Sequence, residues 1–346
     1  MKIGVTFGYS GAKFSIDTEI IREVESLGYD SIWTSEAYGT DAITPAAWML
    51  ALTSRITVGT AIIQMPARTP TAAAMAAMTL QALSGGRFVL GIGPSGPQVI
   101  EGWYGVAYGK PMTRTREYIA IIRRILAREA PLEHQGEHYR IPAAGAGTTG
   151  LGKPLKSILH PDPALRILTG AFTPAGVRTA AEVADGFFPV FMSPERFDLF
   201  AGPIAEGLAA AGGGKSLADL EIAPFVPIHI GDDLEACRAE VKRHMALYVG
   251  GMGAKGRNFY NDYATAMGYG DAAAKIQDLF LAGKHRDAAA AVPDALVDEI
   301  ALVGPRERIR DRLGAWKEAA AKGHVGTLIA KEPSIEALRV LAEEVL

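Results

Sequence analysis

ITVGTAIIQMPARTPTAAAMAAMTLQALSGGRFVLGI, residues 56–92, carries the pattern that decides the fold. Residues 56–63 are a short apolar run rich in Ile, Val and Thr, whose β-branched side chains suit a pleated strand. Residues 69–87 are rich in Ala and Met and read as a helix. Residues 87–92 (RFVLGI) are apolar again and short. Strands this uniformly apolar are covered on both faces, which is the signature of a parallel sheet with helices packed against it.

The same unit recurs on both sides. Upstream, residues 3–7 (IGVTF) read as a strand. The next segment, 15–30, places Ile20, Ile21, Val24 and Leu27 on one helical face, with Ser15 as its N-cap and Gly28 as its stop. Residues 31–34 (SIWT) are a second strand, and 43–55 a helix with Thr44 as cap and Pro45 in its first turn. Downstream, 112–128 is a helix. Strands follow at 165–169, 186–190, 222–230 and 325–330, with helices at 173–186, from Pro194, from Asp232, at 304–323 and at 334–345. Eight strands alternating with helices predict a (β/α)8 barrel of the TIM type rather than an open sheet. The reading is of one barrel domain over 1–346, with insertions at about 129–164 and 251–302.

Composition excludes several classes. Hydrophobic residues make up 49 % of the chain and charged residues 21 %, so it is not disordered. With 35 Lys and Arg against 38 Asp and Glu, and no basic patch interleaved with aromatics, nucleic acid is not an expected partner. No apolar stretch reaches the roughly 18 residues of a membrane span, and the N-terminus is not a signal peptide. The single cysteine, Cys237, cannot form an intramolecular disulfide; it reads as a buried thiol in a protein of a reducing, cytoplasmic compartment.

A barrel of this type builds its site from the loops at the C-terminal ends of its strands. These are residues 7–10, 35–41, 61–68, 91–98, 170–174, 189–192 and 229–232. The glycine-rich loop LGIGPSGPQVIEGWYG (90–105) lets backbone approach a ligand closely and offers N–H groups to a phosphate. It is not a dinucleotide fingerprint, because Pro94 breaks the spacing and no helix is expected directly after it. The seven histidines have no metal-ligand spacing, and Gly136 between His134 and His138 argues against a metal-binding helix, so no metal is expected. There is no nucleophile elbow and no P-loop. His229, at the end of the seventh strand, either points into the site or is a structural histidine. Arg68 follows the third strand and is a candidate partner for an anionic tail. Arg123, Arg124 and Arg128 read as a solvated face.

Four segments taken together, residues 28–42, 58–70, 84–105 and 180–189, resemble the luciferase-like monooxygenase superfamily, and most of all its coenzyme F-420-dependent oxidoreductases, which include methylenetetrahydromethanopterin reductase. The resemblance covers nearly the whole chain. It implies an α/β barrel with an insertion, a small-molecule substrate and a homodimer. It implies a non-prolyl cis bond between Ala61 and Ile62, forming a bulge behind the deazaflavin ring. Gly93, Pro94, Ser95 and Gly96 would lie along the coenzyme's ribityl chain and phosphate, with Gly170, Ala171, Phe172 and Thr173 facing them. Glu36 matches the acidic residue that contacts the cofactor in relatives, as a hydrogen-bond partner of the ring or a proton relay. The chain departs from the family pattern at Ala37, where several relatives have His, at residues 94–97 (PSGP), where some have Glu, and at Thr173-Pro174, usually Gly-Pro. Without that His, the expected chemistry is a reductase giving hydride to an electron-poor acceptor rather than sugar-phosphate dehydrogenation. The alternatives are a monooxygenase of the same fold using FMN, and a cofactor-binding protein with little turnover.

Overall fold

A computed structural model describes residues 1–7, 12–160, 162–253 and 255–346. Residues 8–10 of the first strand-end segment lie outside the described residues. Eight parallel strands form the barrel: β1 (Lys2–Thr6), β2 (Ser31–Thr34), β3 (Thr57–Thr60), β4 (Phe88–Gly93), β5 (Ile167–Gly170), β6 (Gly186–Phe188), β7 (Phe225–Ile230) and β8 (Thr327–Lys331). They pair in the order β6-β5-β4-β3-β2-β1-β8-β7. A single bridge, Val190 with Phe225, joins β6 to β7, and Phe225 N donates to Pro189 O at 3.1 Å across the same seam. This is the expected (β/α)8 arrangement.

Two apolar layers follow from the alternation of side chains along each strand. Outward-facing residues pack under the helices in a large cluster that includes Ile3, Ile32, Val58 and Leu90. Inward-facing residues fill the barrel: Trp33, Val89, Leu168, Phe188 and Ile329, with Ala61 above them. Trp33 is the plug. It meets Phe188 edge-to-face at 5.0 Å and donates Nε1–H to Ser31 Oγ at 2.8 Å. Glycine is required beside it: a Cβ on Gly59 would overlap the Trp33 ring, and one on Gly4 would crowd Ser31 Oγ and the indole nitrogen. Truncating so large a plug would cost about 3–5 kcal/mol.

The differences from the sequence reading are local. The third strand does not run through 56–63: it stops at Thr60, breaks at Ala61–Ile62, and resumes at Ile63–Gln64 beside β4. Asp17, not Ser15, caps the first helix, accepting from Glu19 N and Ile20 N. Asp41, not Thr44, accepts from Ile43 N and Thr44 N at the start of the second helix, where Thr44 already lies inside. The seventh strand is split into Glu221–Ile222, beside β6, and β7. A short helix, Pro97–Gly102, does start directly after the glycine-rich loop. Of the expected solvated face only Arg124 is exposed; Arg123 and Arg128 are half-buried. Arg123 pairs with Asp185, and the other two donate to the carbonyls of Glu133 and Ser157.

Residues 129–164 carry a two-residue ladder, His134–Gln135 against Arg140–Ile141. This segment is tied to the helix Pro111–Ala127, chiefly through Glu117, whose carboxylate accepts from the backbone N–H of Glu137, His138 and Tyr139. Between β7 and β8 the chain forms the helices Leu234–Ala246, Phe259–Ala264, Gly270–Leu281, His285–Ala290 and Asp294–Ile300, then a strand, Leu302–Gly304, beside β7, and the helix Arg306–Ala321. No helix among the described residues is long and apolar enough to cross a membrane.

Candidate active site

The ends of β2, β3 and β4 are joined by one carboxylate. Glu36 follows β2 and is 6 % exposed. Its Oε2 accepts from Ala42 N at 3.0 Å and its Oε1 from Gln64 N at 2.8 Å, while Arg68 closes a salt bridge on Oε1. Three donors from two loops therefore meet one buried anion. Charge-assisted bonds of this kind are about twice as strong as neutral ones, and they hold the loops in register. Arg68, expected as a partner for a ligand's tail, is the counter-ion of Glu36 and lies 3.8 Å from Asp41.

Behind this clamp the Ala61–Ile62 peptide bond is cis, as expected. Its flanks are held: Ala61 N donates to Thr34 O at 2.6 Å, and Ser35 Oγ donates to Ala61 O at 2.9 Å. The Ile62 side chain is wedged between the ends of β4 and β5. A Cβ on Gly93 would come 2.5 Å from Ile62 Cδ1, and one on Gly170 would come 3.5 Å from Ile62 Cγ2. One strand turn below, Gly91 lies against Thr60, whose hydroxyl bonds both the Gly91 carbonyl and its N–H, and a Cβ there would overlap the Thr60 carbonyl. Gly91 and Gly93 thus make room for the Thr60 carbonyl and the Ile62 side chain, and Ile62, itself half-buried, forms a shelf over the ends of β4 and β5.

Pro94, Ser95 and Gly96 are half-buried at the rim of this shelf. Ser95 has a φ of 58°, a left-handed conformation rare outside glycine. It is pinned from both sides: Gln64 Nε2 donates to its hydroxyl at 2.9 Å, and Tyr108 Oη to its carbonyl at 2.9 Å. Gln64 is 1 % exposed, and its Oε1 has no hydrogen-bond partner among the described residues. A buried acceptor with no donor is expensive unless a ligand supplies one. After the neighbouring strand β5, Thr173 caps the helix Pro174–Val183 by accepting from Gly176 N, Ala171 is buried, and Phe172 stacks on Tyr260 with ring centroids 4.7 Å apart. The expected residues therefore gather at the ends of neighbouring strands, β2 to β5, around Ile62. A flat ring with N–H groups on its edge suits the shelf and the free Gln64 oxygen.

The far side of the mouth holds residues that the sequence reading did not single out. Lys331 ends β8, one residue past the expected strand end, and its Nζ lies 2.5 Å from His244 Nε2. Burial pushes the Lys331 amine down to about 8 and, together with the nearby amine, the His244 imidazole down to about 3. His229, whose role the sequence left open, is also held below its ordinary value by burial. The strand period is the signal that finds Lys331: it lies two residues beyond the inward-facing Ile329. Cys237 is buried, as expected. Among the described residues no cluster of three His, Cys, Asp or Glu side chains is placed to hold a metal. A cavity of about 600 Å³ opens at the opposite end of the barrel beside Lys2, Arg166 and Glu221, and another of about 900 Å³ lies between residues 193–196 and 295–312. Neither touches the strand-end loops at 61–68, 93–96 or 170–173.

A closed parallel barrel with its polar constellation at the C-terminal strand ends is an enzyme scaffold. The chain belongs to the luciferase-like monooxygenase family, whose model matches residues 4–323. It is 44 % identical, over 99 % of its length and 98 % of the relative's, to the Mycobacterium tuberculosis protein named "Putative coenzyme F420-dependent oxidoreductase Rv3520c". It is 25 % identical to the 5,10-methylenetetrahydromethanopterin reductase of Archaeoglobus fulgidus, over 92 % of this chain and 91 % of that one. The structure of the coenzyme F420-dependent tetrahydromethanopterin reductase of Methanopyrus kandleri superposes with a TM-score of 0.77, at 21 % identity, over 99 % and 98 % of the two chains. This last likeness shows the fold.

Proposed function

We propose that this protein is an oxidoreductase that uses coenzyme F-420 to move a hydride to or from a small organic substrate. The observation that carries the reading is the Ala61–Ile62 bulge, wedged between Gly93 and Gly170 beside an acceptor that lacks a donor, Gln64 Oε1. The named function of the 44 % identical relative supports it. When bound, the deazaflavin supplies a carbon-centred hydride donor or acceptor. The protein's part is to hold and orient. Ala61 and Ile62 back the ring, Gly93 and Gly170 give Ile62 the room to do so, Gln64 Oε1 accepts from its edge, and residues 94–96 and 171–173 line the tail. Glu36 has both oxygens occupied by protein donors, so its role is to fix the loops that carry Ile62 and Gln64. The same reading takes the chain as one barrel in a cytoplasmic homodimer, with the 129–164 and 251–302 insertions walling the substrate space.

The test is binding of oxidised coenzyme F-420 and of FMN to the purified apoprotein, followed by quenching of Trp33, which sits below the shelf. Micromolar or tighter F-420 binding with weak FMN binding is expected. A preference for FMN would move the protein to the oxygen-dependent monooxygenases. Binding of neither would overturn the reading, and F-420 binding with no acceptor-dependent oxidation of the reduced coenzyme would leave a binding protein.

A further inference from the structure

On the clamp side of the mouth Glu36 is engaged by Ala42, Gln64 and Arg68, and Asp41 by Ile43, Thr44 and Arg68, so both carboxylates are tied to protein donors rather than free to move a proton. Hydride transfer to a carbonyl leaves an alkoxide, which needs one. We infer that Lys331, held by His244, is the catalytic acid of this site, and that the substrate is an uncharged ketone or aldehyde. The inference rests on the hydride-transfer reading above.

Three observations carry it. The first is position. Ile329 packs inside the barrel in the same cluster as Ala61, and the strand period puts Lys331 on the same face one step higher, in register with Thr6 of β1 and Pro227 of β7. The amine therefore stands at the mouth on the side away from the shelf. The second is its partner. His244 contacts the rings of Tyr248 at 4.5 Å and Phe191 at 6.0 Å, so its imidazole is kept neutral and accepts from the amine. Lys331 Nζ also lies 5.9 Å over the Tyr248 ring. No ion pair to Lys331 occurs among the described residues. Unlike Glu36, it is a charge without a built-in counter-charge, and a nascent alkoxide supplies one. The third is the wall. Phe172, Tyr260, Phe191 and Tyr248 pack ring on ring, at centroid distances of 4.7 to 6.1 Å, from the β5 loop round to the amine, which lies over Tyr248. A lining of rings with one amine and neutral imidazoles suits an apolar body with a single carbonyl oxygen better than a permanent anion.

The step balances. The hydride reaches the carbonyl carbon from the reduced deazaflavin, which is oxidised. The C=O π pair moves to oxygen and takes the Nζ proton, giving an alcohol and a neutral amine. Solvent then returns the proton. Among the described residues the charged and titratable groups around the amine are His244, with Arg243 and Glu240 on the same helix, the Tyr248 phenol, His229 on β7, and Glu332 next in sequence. An amine that titrates near 8 is matched to this task at neutral pH.

The experiment uses the purified chain with reduced coenzyme F-420 and a panel of ketones and aldehydes. Lys331→Met should lower kcat about 100-fold or more, with coenzyme affinity from Trp33 quenching changed less than twofold. Lys331→Cys in a Cys237→Ser background should regain activity on aminoethylation with bromoethylamine, with its pH profile displaced. Without coenzyme, fluorodinitrobenzene labelling of Lys331, read by peptide mass spectrometry across pH, should titrate well below the other lysines, and His244→Asn should move that titration. An unchanged kcat in Lys331→Met with coenzyme bound, or a raised KM with kcat kept, would overturn the inference and leave the coenzyme assignment standing. Failure of coenzyme to bind would remove both, and ordinary labelling of Lys331 would remove the acid alone.

Discussion

The two sides of the barrel mouth hold their charges in opposite ways. On the β2–β4 side, Glu36 is an anion with every oxygen occupied, by Ala42 N, Gln64 N and Arg68. On the β8 side, Lys331 is an amine whose neighbours are a neutral imidazole and a ring. A satisfied charge fixes geometry. An unsatisfied one has a pKa that burial can move and a proton that it can give up. The contrast sets a carboxylate matched by family pattern, whose oxygens are engaged by protein donors, against an amine that no pattern pointed to.

The largest effect should come from removing the satisfied charge. Glu36→Ala leaves Arg68 and two backbone N–H groups without their partner, and breaking a buried pair costs about 3–5 kcal/mol. Urea unfolding should show that loss, and Glu36→Gln, which keeps an acceptor, should show less. A loss below about 1 kcal/mol would mean that Glu36 is not the clamp and would return it to the list of candidate catalysts.

Lys331→Met should do the reverse. The folded protein lowers the amine from its ordinary 10.5 to about 8, so the folded state binds fewer protons than the unfolded state between those values. Stability from this group therefore rises with pH across that window, and the penalty is fully present below pH 8. Lys331→Met should unfold at higher urea than the wild type at pH 7, and the two should converge as the pH approaches 10.5. A variant less stable at pH 7 would show that the amine is a structural keystone.

His244 gives a third comparison, on the acid side. Its folded value of about 3 lies below the ordinary 6.5, so the imidazole stays neutral in the fold and takes up a proton on unfolding. Stability from this group is complete above pH 6.5 and is lost as the pH falls towards 3. His244→Asn should flatten the acid-side fall by up to one proton, ~1.4 kcal/mol per pH unit. Equal slopes in the two proteins would place His244 in contact with solvent.

How much of this was legible in the sequence follows from how local each feature is. Strand and helix alternation is a local periodicity, so β1 to β8 and their order could be read. Caps failed at Ser15 and Thr44 because several hydroxyl and carboxylate residues stand within a turn of each helix start, and only the start itself decides which is used. The span 56–63 was read through because an apolar run carries no mark of the break at Ala61–Ile62; the family resemblance supplied it. Glu36 could be named, but its partners come from residues 42, 64 and 68. Lys331 and His244 are 87 residues apart, and no pattern in either segment connects them. The site's long-range pairs were invisible because nothing but the fold brings them together.

The smallest effects separate the two glycines that flank Ile62. In Gly93→Ala the new methyl would lie 2.5 Å from Ile62 Cδ1, so the isoleucine must swing away. That repacking costs about 1 kcal/mol and tilts the surface against which the ring is proposed to lie, so coenzyme affinity should fall roughly tenfold, ~1.4 kcal/mol. In Gly170→Ala the methyl meets Ile62 Cγ2 at 3.5 Å, an ordinary contact. Stability should change by less than about 0.5 kcal/mol, because nothing has to move. Any loss of coenzyme affinity in Gly170→Ala is then a direct reading of how closely the ligand approaches that backbone. If Gly93→Ala binds coenzyme as the wild type does, the shelf beside Ile62 does not hold the ring.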